Sequence, residues 1–311
     1  MPPDVDRLAR AHDKIVDALD AKHVERLQKI LDDLEGRIVS VAANAPVRAG
    51  KLIDAAFAVK QRPVIEAAIR ATFLNWAHES VDEFGVAAES VINMMNGLGV
   101  IDGFGPDDAA VINQLKRIGF NGYEDIAAEY LDVLANGLYQ STIAGRPATD
   151  TMREMAQAVN GVYIKGDTDE AASLVDFVKA NQNDPAMASE VSEAVDKLHT
   201  IYGRDRIGRN LRRYAHQQVH DGLMQFNASF TAKKAQDADL DHFKYYGSLI
   251  RDSRPWCVQH AGTVMSIETI REKWATRSWA GKSPGDPLIV RGGYNCRHHF
   301  VPYDPEWQDA A

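Results

Sequence analysis

The chain has 311 residues, 45% hydrophobic and 25% charged, proportions that exclude a disordered or collagen-like protein. Its formal charge of −9 argues against nucleic acid as the partner of the chain as a whole, and two cysteines exclude a disulfide framework. The length gives a prior of about two domains.

The charge is unevenly spread. Residues 201–311 carry 16 Lys/Arg against 12 Asp/Glu, a net of +4, whereas residues 1–200 carry 19 against 32, a net of −13. An acidic body is therefore expected to precede a mildly basic tail. The start, Met1-Pro2-Pro3-Asp4-Val5-Asp6, is acidic and has no apolar stretch, so no secretory signal is expected. No window approaches a membrane span, no internal repeat is apparent, and the cysteines are expected to be made in a reducing cytosol.

In residues 5–46, Leu8, Ile15, Leu19, Leu27, Leu31, Leu34 and Ile38 recur mostly at helical spacing, with Leu27, Leu31, Leu34 and Ile38 as the cleanest stripe. Residues 51–95 continue as helix, with a break or kink expected at Pro63. The glycine-rich run Gly97 to Pro106 fails the dinucleotide pattern, because Asp102 stands where the third glycine belongs and no strand precedes it. It reads as a connection between helices.

Helical patterning resumes over 107–138 and again from about Thr149, with Arg146-Pro147 between them. Further breaks fall at Gly166 to Glu170 and at Asn183-Asp184-Pro185. Almost nothing before residue 200 reads as a strand. A basic run follows, with Arg204, Arg206, Arg209, Arg212 and Arg213, leading into a helix that carries His216, Val219, His220, Leu223 and Phe226. Those arginines are candidate contacts for DNA phosphates or for an acidic partner; the competing reading is a solvated face paired with the chain's own acidic body. Phe243, Tyr245, Tyr246, Leu249 and Ile250 suggest a short strand, and a loop-rich stretch dense in Gly, Pro and Trp follows.

The expected fold is therefore mainly α: an elongated helical region over 1–200, then a small α+β module with short strands and long loops over 201–311. Within the module, a basic helix at 204–230 precedes a Cys/His-containing part at 240–305. So small a core often needs a pin.

Both cysteines lie in that part. His260 stands three residues after Cys257, and His298 and His299 stand two and three after Cys296. Thiolates and imidazoles from two short segments suit four-coordinate zinc. A single disulfide and ordinary buried packing are the alternatives. His298 and His299 face opposite sides if they lie in a strand, so only one can reach a shared site. A Cys–His nucleophilic pair is formally available, but no nucleophile turn or oxyanion hole is recognisable. The deaminase and H-E-x-x-H patterns are absent, so no catalytic residue and no nucleotide cofactor are assigned.

Two segments, Arg251-Asp252-Ser253-Arg254-Pro255-Trp256-Cys257-Val258-Gln259-His260-Ala261-Gly262 and Gly292-Gly293-Tyr294-Asn295-Cys296-Arg297-His298-His299-Phe300-Val301-Pro302, resemble the phage Mu F-like minor head protein family, also called head-morphogenesis proteins. The helix from Arg204 to Phe226 resembles the family's arginine-rich helix, so the likeness spans about residues 200–305. The commoner family pattern has histidine where Cys257 stands and cysteine where His298 stands. An exchange of thiol and imidazole between the two loops is what a shared zinc site tolerates. The ligand set this favours is Cys257, Cys296 and His298, with His260 as a candidate fourth.

The resemblance implies a minor capsid protein of a tailed bacteriophage. It would sit inside the head near the portal, made in the host cytoplasm, and assist assembly and DNA packaging or ejection. Its implied partners are the portal and major capsid proteins, with packaged double-stranded DNA as a further candidate and no membrane. The alternative is a toxin or other enzyme, since such modules also resemble parts of bacterial effectors; the expected helical N-terminal region, without a catalytic cluster, favours the structural role.

Overall fold

The computed structural model describes residues 2–43, 45–48, 52–53, 55–101, 103–136, 211–250 and 253–309, with isolated positions between 173 and 193. The fold is mainly α, with long N-terminal helices and a small C-terminal module around a three-stranded antiparallel sheet. The breaks expected at Arg146-Pro147, Gly166 to Glu170 and Asn183 to Pro185 lie outside the described residues, as do Arg204, Arg206 and Arg209. Among the described residues, no helix is long and apolar enough to cross a membrane.

The chain divides into two compact units, each built from segments remote in sequence. One comprises Met1–Leu34, Ala67–Ala128 and Ala215–Ala311; the other comprises Glu35–Glu66 and Glu129–Tyr214. Residues remote in sequence thus share the first core with the C-terminal module.

In the second unit, the end of α1 (Val5–Ala43) is followed by two-residue strands β1 (Val47–Arg48) and β2 (Leu52–Ile53), paired antiparallel. Apolar periodicity does not reveal these strands, although Pro46 already disfavours further helix at the residue before it. α2 (Ala55–Asp82) runs through Pro63 without the expected break. Pro63 is exposed, so water can serve the carbonyl that its missing N–H leaves free.

In the first unit, α1, α2, α3 (Phe84–Gly97), α4 (Asp108–Leu131) and α5 (Leu211–Asp237) each supply buried side chains. Phe73, Trp76, Phe84, Tyr123, Phe226 and Phe230 form a chain of ring contacts among these helices. The glycine-rich run between α3 and α4 is a helix connection: the Gly105 N–H donates to Asp108 Oδ2 at 2.6 Å, at the start of α4. Lys234 of α5 in turn places its ammonium 3.1 Å from both oxygens of Asp108.

The buried face of α1 differs from its leucine stripe. Leu27, Leu31 and Leu34 are inside as expected, but Ile15 is exposed, and His12, Asp20 and His23 are buried instead. Each has a partner. His12 Nδ1 lies 2.8 Å from Ser90 Oγ, Asp20 Oδ2 lies 3.0 Å from His220 Nδ1, and His23 Nε2 lies 3.2 Å from Glu83 Oε2. The polar inlay matches polar groups on α3, α5 and the residue before α3, which apolar periodicity cannot register.

The sheet has the order β4-β3-β5, formed by β3 (His242–Tyr246), β4 (Val264–Ser266) and β5 (His299–Tyr303). Tyr245 pairs with Phe300 and Tyr246 with His299. Leu249 and Ile250 lie beyond β3 and are exposed, so the strand is shorter than expected. Four helices complete the module: α6 (Pro255–His260), α7 (Ile267–Thr276), α8 (Pro287–Val290) and α9 (Glu306–Asp309). Ser266 caps α7 by accepting from the Thr269 N–H, Asp286 caps α8 by accepting from the Leu288 N–H, and Pro255 and Pro287 begin α6 and α8.

His298, just before β5, and His299, its first residue, part company as alternation along an extended chain requires. His298 goes to Tyr245, and His299 goes to α1, where its Nδ1 lies 3.3 Å from Asp13 Oδ1 and its ring meets His12 edge-on. Burial drives this contact toward neutral forms, lowering His299 to about 3 and raising Asp13 to about 7. His12 is likewise lowered by burial, to about 4.

These shifts oppose one another in pH. His12 contributes fully above its unfolded value of about 6.5, and that contribution is lost as pH falls toward about 4. Asp13 contributes below about 4 and loses its contribution as pH rises through about 7. Denaturant unfolding across this range is therefore expected to give His12→Gln a flatter acid limb than the parent, by on the order of 3 kcal/mol between pH 6.5 and 4. Parallel curves would show that His12 is not held neutral.

Candidate metal centre

The two resembling segments converge at the sheet. α6 brings Cys257, and the loop after α8 brings Cys296 and then His298. All three are buried, and their ligand atoms lie within 4.8 Å of one another. Among the described residues this is the one group of three or more His, Cys, Asp or Glu side chains so gathered.

The sulfurs are free thiols 3.8 Å apart, and Cys296 Sγ lies 3.9 Å from His298 Nδ1. A tetrahedral zinc with Zn–S bonds of about 2.3 Å spans an S···S edge of about 3.8 Å and an S···N edge of about 3.5 Å. The sulfur pair already has the first spacing, and on the Cys296 side the imidazole is a few tenths of an ångström from the second. Among the described residues, the buried His298 Nε2 meets no hydrogen-bond partner.

His260 is elsewhere. It is buried against Trp256, with ring centroids 4.3 Å apart, and does not belong to the group. Burial, with Lys273 and Arg277 nearby, lowers it to about 4. Its place is in the aromatic packing of Trp256, Trp274 and Trp279, which closes the module on that side. His299 also lies outside the group, at α1.

Several contributors to the site carry no sequence signal of their role. Tyr245 of β3 is fully buried, its Oη 3.4 Å from Cys257 Sγ and 3.6 Å from Cys296 Sγ, and its ring lies stacked against His298. Gly292 faces the same space. A Cβ there would stand 2.6 Å from Cys257 Sγ, 2.8 Å from Cys296 Sγ and 3.1 Å from Tyr245 Oη. Gly247 plays the corresponding part behind His298, where a Cβ would come within 2.7 Å of the ring.

The loop that delivers Cys296 is bent by left-handed residues at Arg291, Gly293 and Asn295. Asp221 of α5 holds it: its Oδ1 accepts from the Asn295 N–H at 2.8 Å and lies 3.5 Å from the Arg291 guanidinium. His220, the next residue back, lies between Asp20 and the Cys296 carbonyl oxygen, 3.4 Å from its Nε2. The helix expected to present a basic face is thus buried along much of its length, from Val219 to Ala235. Of its polar side chains there, His220 and Asp221 serve the Cys296 loop, and Lys234 pairs with Asp108 of α4. Of the predicted contact arginines on α5, Arg212 is half-buried and Arg213 exposed.

The electrostatics divide the sulfurs. Negative charge is favoured on Cys296 over Cys257: the Cys296 pKa is lowered first by the hydrogen bond from Cys257, against the opposing effect of burial, and then by His298, Arg291 and Tyr245. Cys257 is correspondingly raised, by that same hydrogen bond and by burial. Arg291 is almost wholly buried and is a cation beside this charge, with its own pKa lowered by burial. Two buried sulfurs beside an imidazole make a donor set of the kind that divalent zinc prefers, with a phenol adjoining.

Gly292→Ala is expected to cost about 1–3 kcal/mol through overpacking of the sulfur pair. Denaturant unfolding measures it, and an unchanged midpoint would mean that the space behind Gly292 is not fixed by the two thiols and the phenol.

No family model matches the chain, and neither does any curated protein or solved structure.

Proposed function

We propose that this chain is a minor capsid, head-morphogenesis protein of a tailed bacteriophage, with a C-terminal module pinned by zinc. The observation that carries the reading is the convergence of the two Mu F-like segments. They supply Cys257 from one and Cys296 and His298 from the other, gathered in one buried group. Thiol and imidazole are exchanged between these loops relative to the commoner family pattern, and a shared ligand set tolerates that exchange.

The role assigned to the group is structural. Both thiols are about 2% exposed, so a macromolecular substrate has no access to either sulfur, while an ion held there would cross-link α6 to the loop before β5. The protein would work inside the head near the portal, helping assembly and DNA packaging or ejection. Protein contacts suit the acidic 1–200 region, whose net charge of −13 repels DNA. DNA contact is assigned to the arginines from Arg204 to Arg213.

Affinity capture with the intact tagged chain, from cells in which the phage is assembling, is expected to recover the portal or major capsid protein. Recovery of neither, from a lysate in which both are abundant, would contradict the assembly role.

A further inference from the structure

Cys257, Cys296 and His298 leave a tetrahedral ion one donor short. Resting on the metal reading above, we infer that Tyr245 is the fourth ligand, its phenolate oxygen joining the two thiolates and the imidazole around a divalent ion such as zinc.

The geometry carries this. A tetrahedral centre with Zn–S of about 2.3 Å and Zn–O of about 2.0 Å has S···O edges of about 3.5 Å. Tyr245 Oη stands 3.4 Å from Cys257 Sγ and 3.6 Å from Cys296 Sγ, and the sulfurs are 3.8 Å apart. One face of a four-coordinate shell is therefore already formed by two sulfurs and an oxygen. The two histidines otherwise in sequence range, His260 and His299, are committed elsewhere.

Position and support agree with the distances. Tyr245 is central in the sheet, paired with Phe300 on one side and hydrogen-bonded through its N–H to the Thr263 carbonyl at 2.9 Å on the other. Its ring is wedged among Trp256, His298 and Phe300, so the hydroxyl cannot swing away. Gly292 keeps the space between the two sulfurs and the hydroxyl free of a side chain. When the ion binds, the protons on the Cys257 and Cys296 thiols and on the Tyr245 phenol are released to solvent. Metal–sulfur and metal–oxygen bonds replace the S–H and O–H bonds.

Zinc titration of the intact, metal-free chain, followed by ultraviolet difference spectroscopy, tests this. About one equivalent of zinc is expected to give a saturating phenolate band. Tyr245→Phe is expected to bind about 10- to 100-fold more weakly and without the band. Zinc binding by the parent without a phenolate band would overturn Tyr245 as a ligand and leave the Cys257–Cys296–His298 site standing. A band that persists in Tyr245→Phe belongs to another tyrosine and overturns it equally. A parent chain that takes up no zinc overturns both readings. X-ray absorption of the parent complex needs no variant to fold: two sulfur and two nitrogen or oxygen neighbours are expected, and a shell without the second light neighbour contradicts the fourth ligand.

Discussion

Two sulfur atoms 3.8 Å apart, delivered by residues 39 positions apart in the chain, set the terms for the C-terminal module. Negative charge on a sulfur buried among aromatic rings is costly unless it is met. Arg291, Tyr245, His298 and the Cys257 thiol are all directed at that requirement. Their positions follow from it: α6 must turn its cysteine toward the sheet, the loop after α8 must bend sharply, and Gly292 must lack a side chain. A divalent ion held there would meet the same charge and join the two segments at once.

The support for this site extends beyond the module. Asp221 and His220 reach the Cys296 loop from α5, and Asp20 of α1 reaches His220. Asp13 and His12 of α1 cover His299, the neighbour of a proposed ligand, on the opposite face of the sheet. The first turns of α1 are thus part of the setting of the centre. A buried polar inlay of this kind costs more when half-satisfied than an apolar face would, and it therefore specifies one docking of α1 over others.

Part of this is legible in the sequence. Both cysteines fall within four residues of a histidine, and that clustering identifies three members of the group. Strand alternation separates His298 from His299 without any coordinates. Tyr245 reads as one of several aromatic strand residues, because nothing in one dimension distinguishes a ring that packs from one whose hydroxyl meets two sulfurs. His260 has ligand spacing from Cys257, but α6 turns its ring onto Trp256. A division at residue 200 follows charge and texture, which describe surfaces. The compact units follow burial, and the buried face of α1 includes His12, Asp20 and His23, residues that an apolar count passes over.

The central claim is that a metal ion joins Cys257 to Cys296 and His298. Native mass spectrometry of the purified chain tests it most directly. One zinc ion per chain, removed by a chelator and absent from Cys296→Ser, is the result this account predicts. A folded chain at its bare polypeptide mass, with both thiols free and no uptake of added zinc, would contradict it.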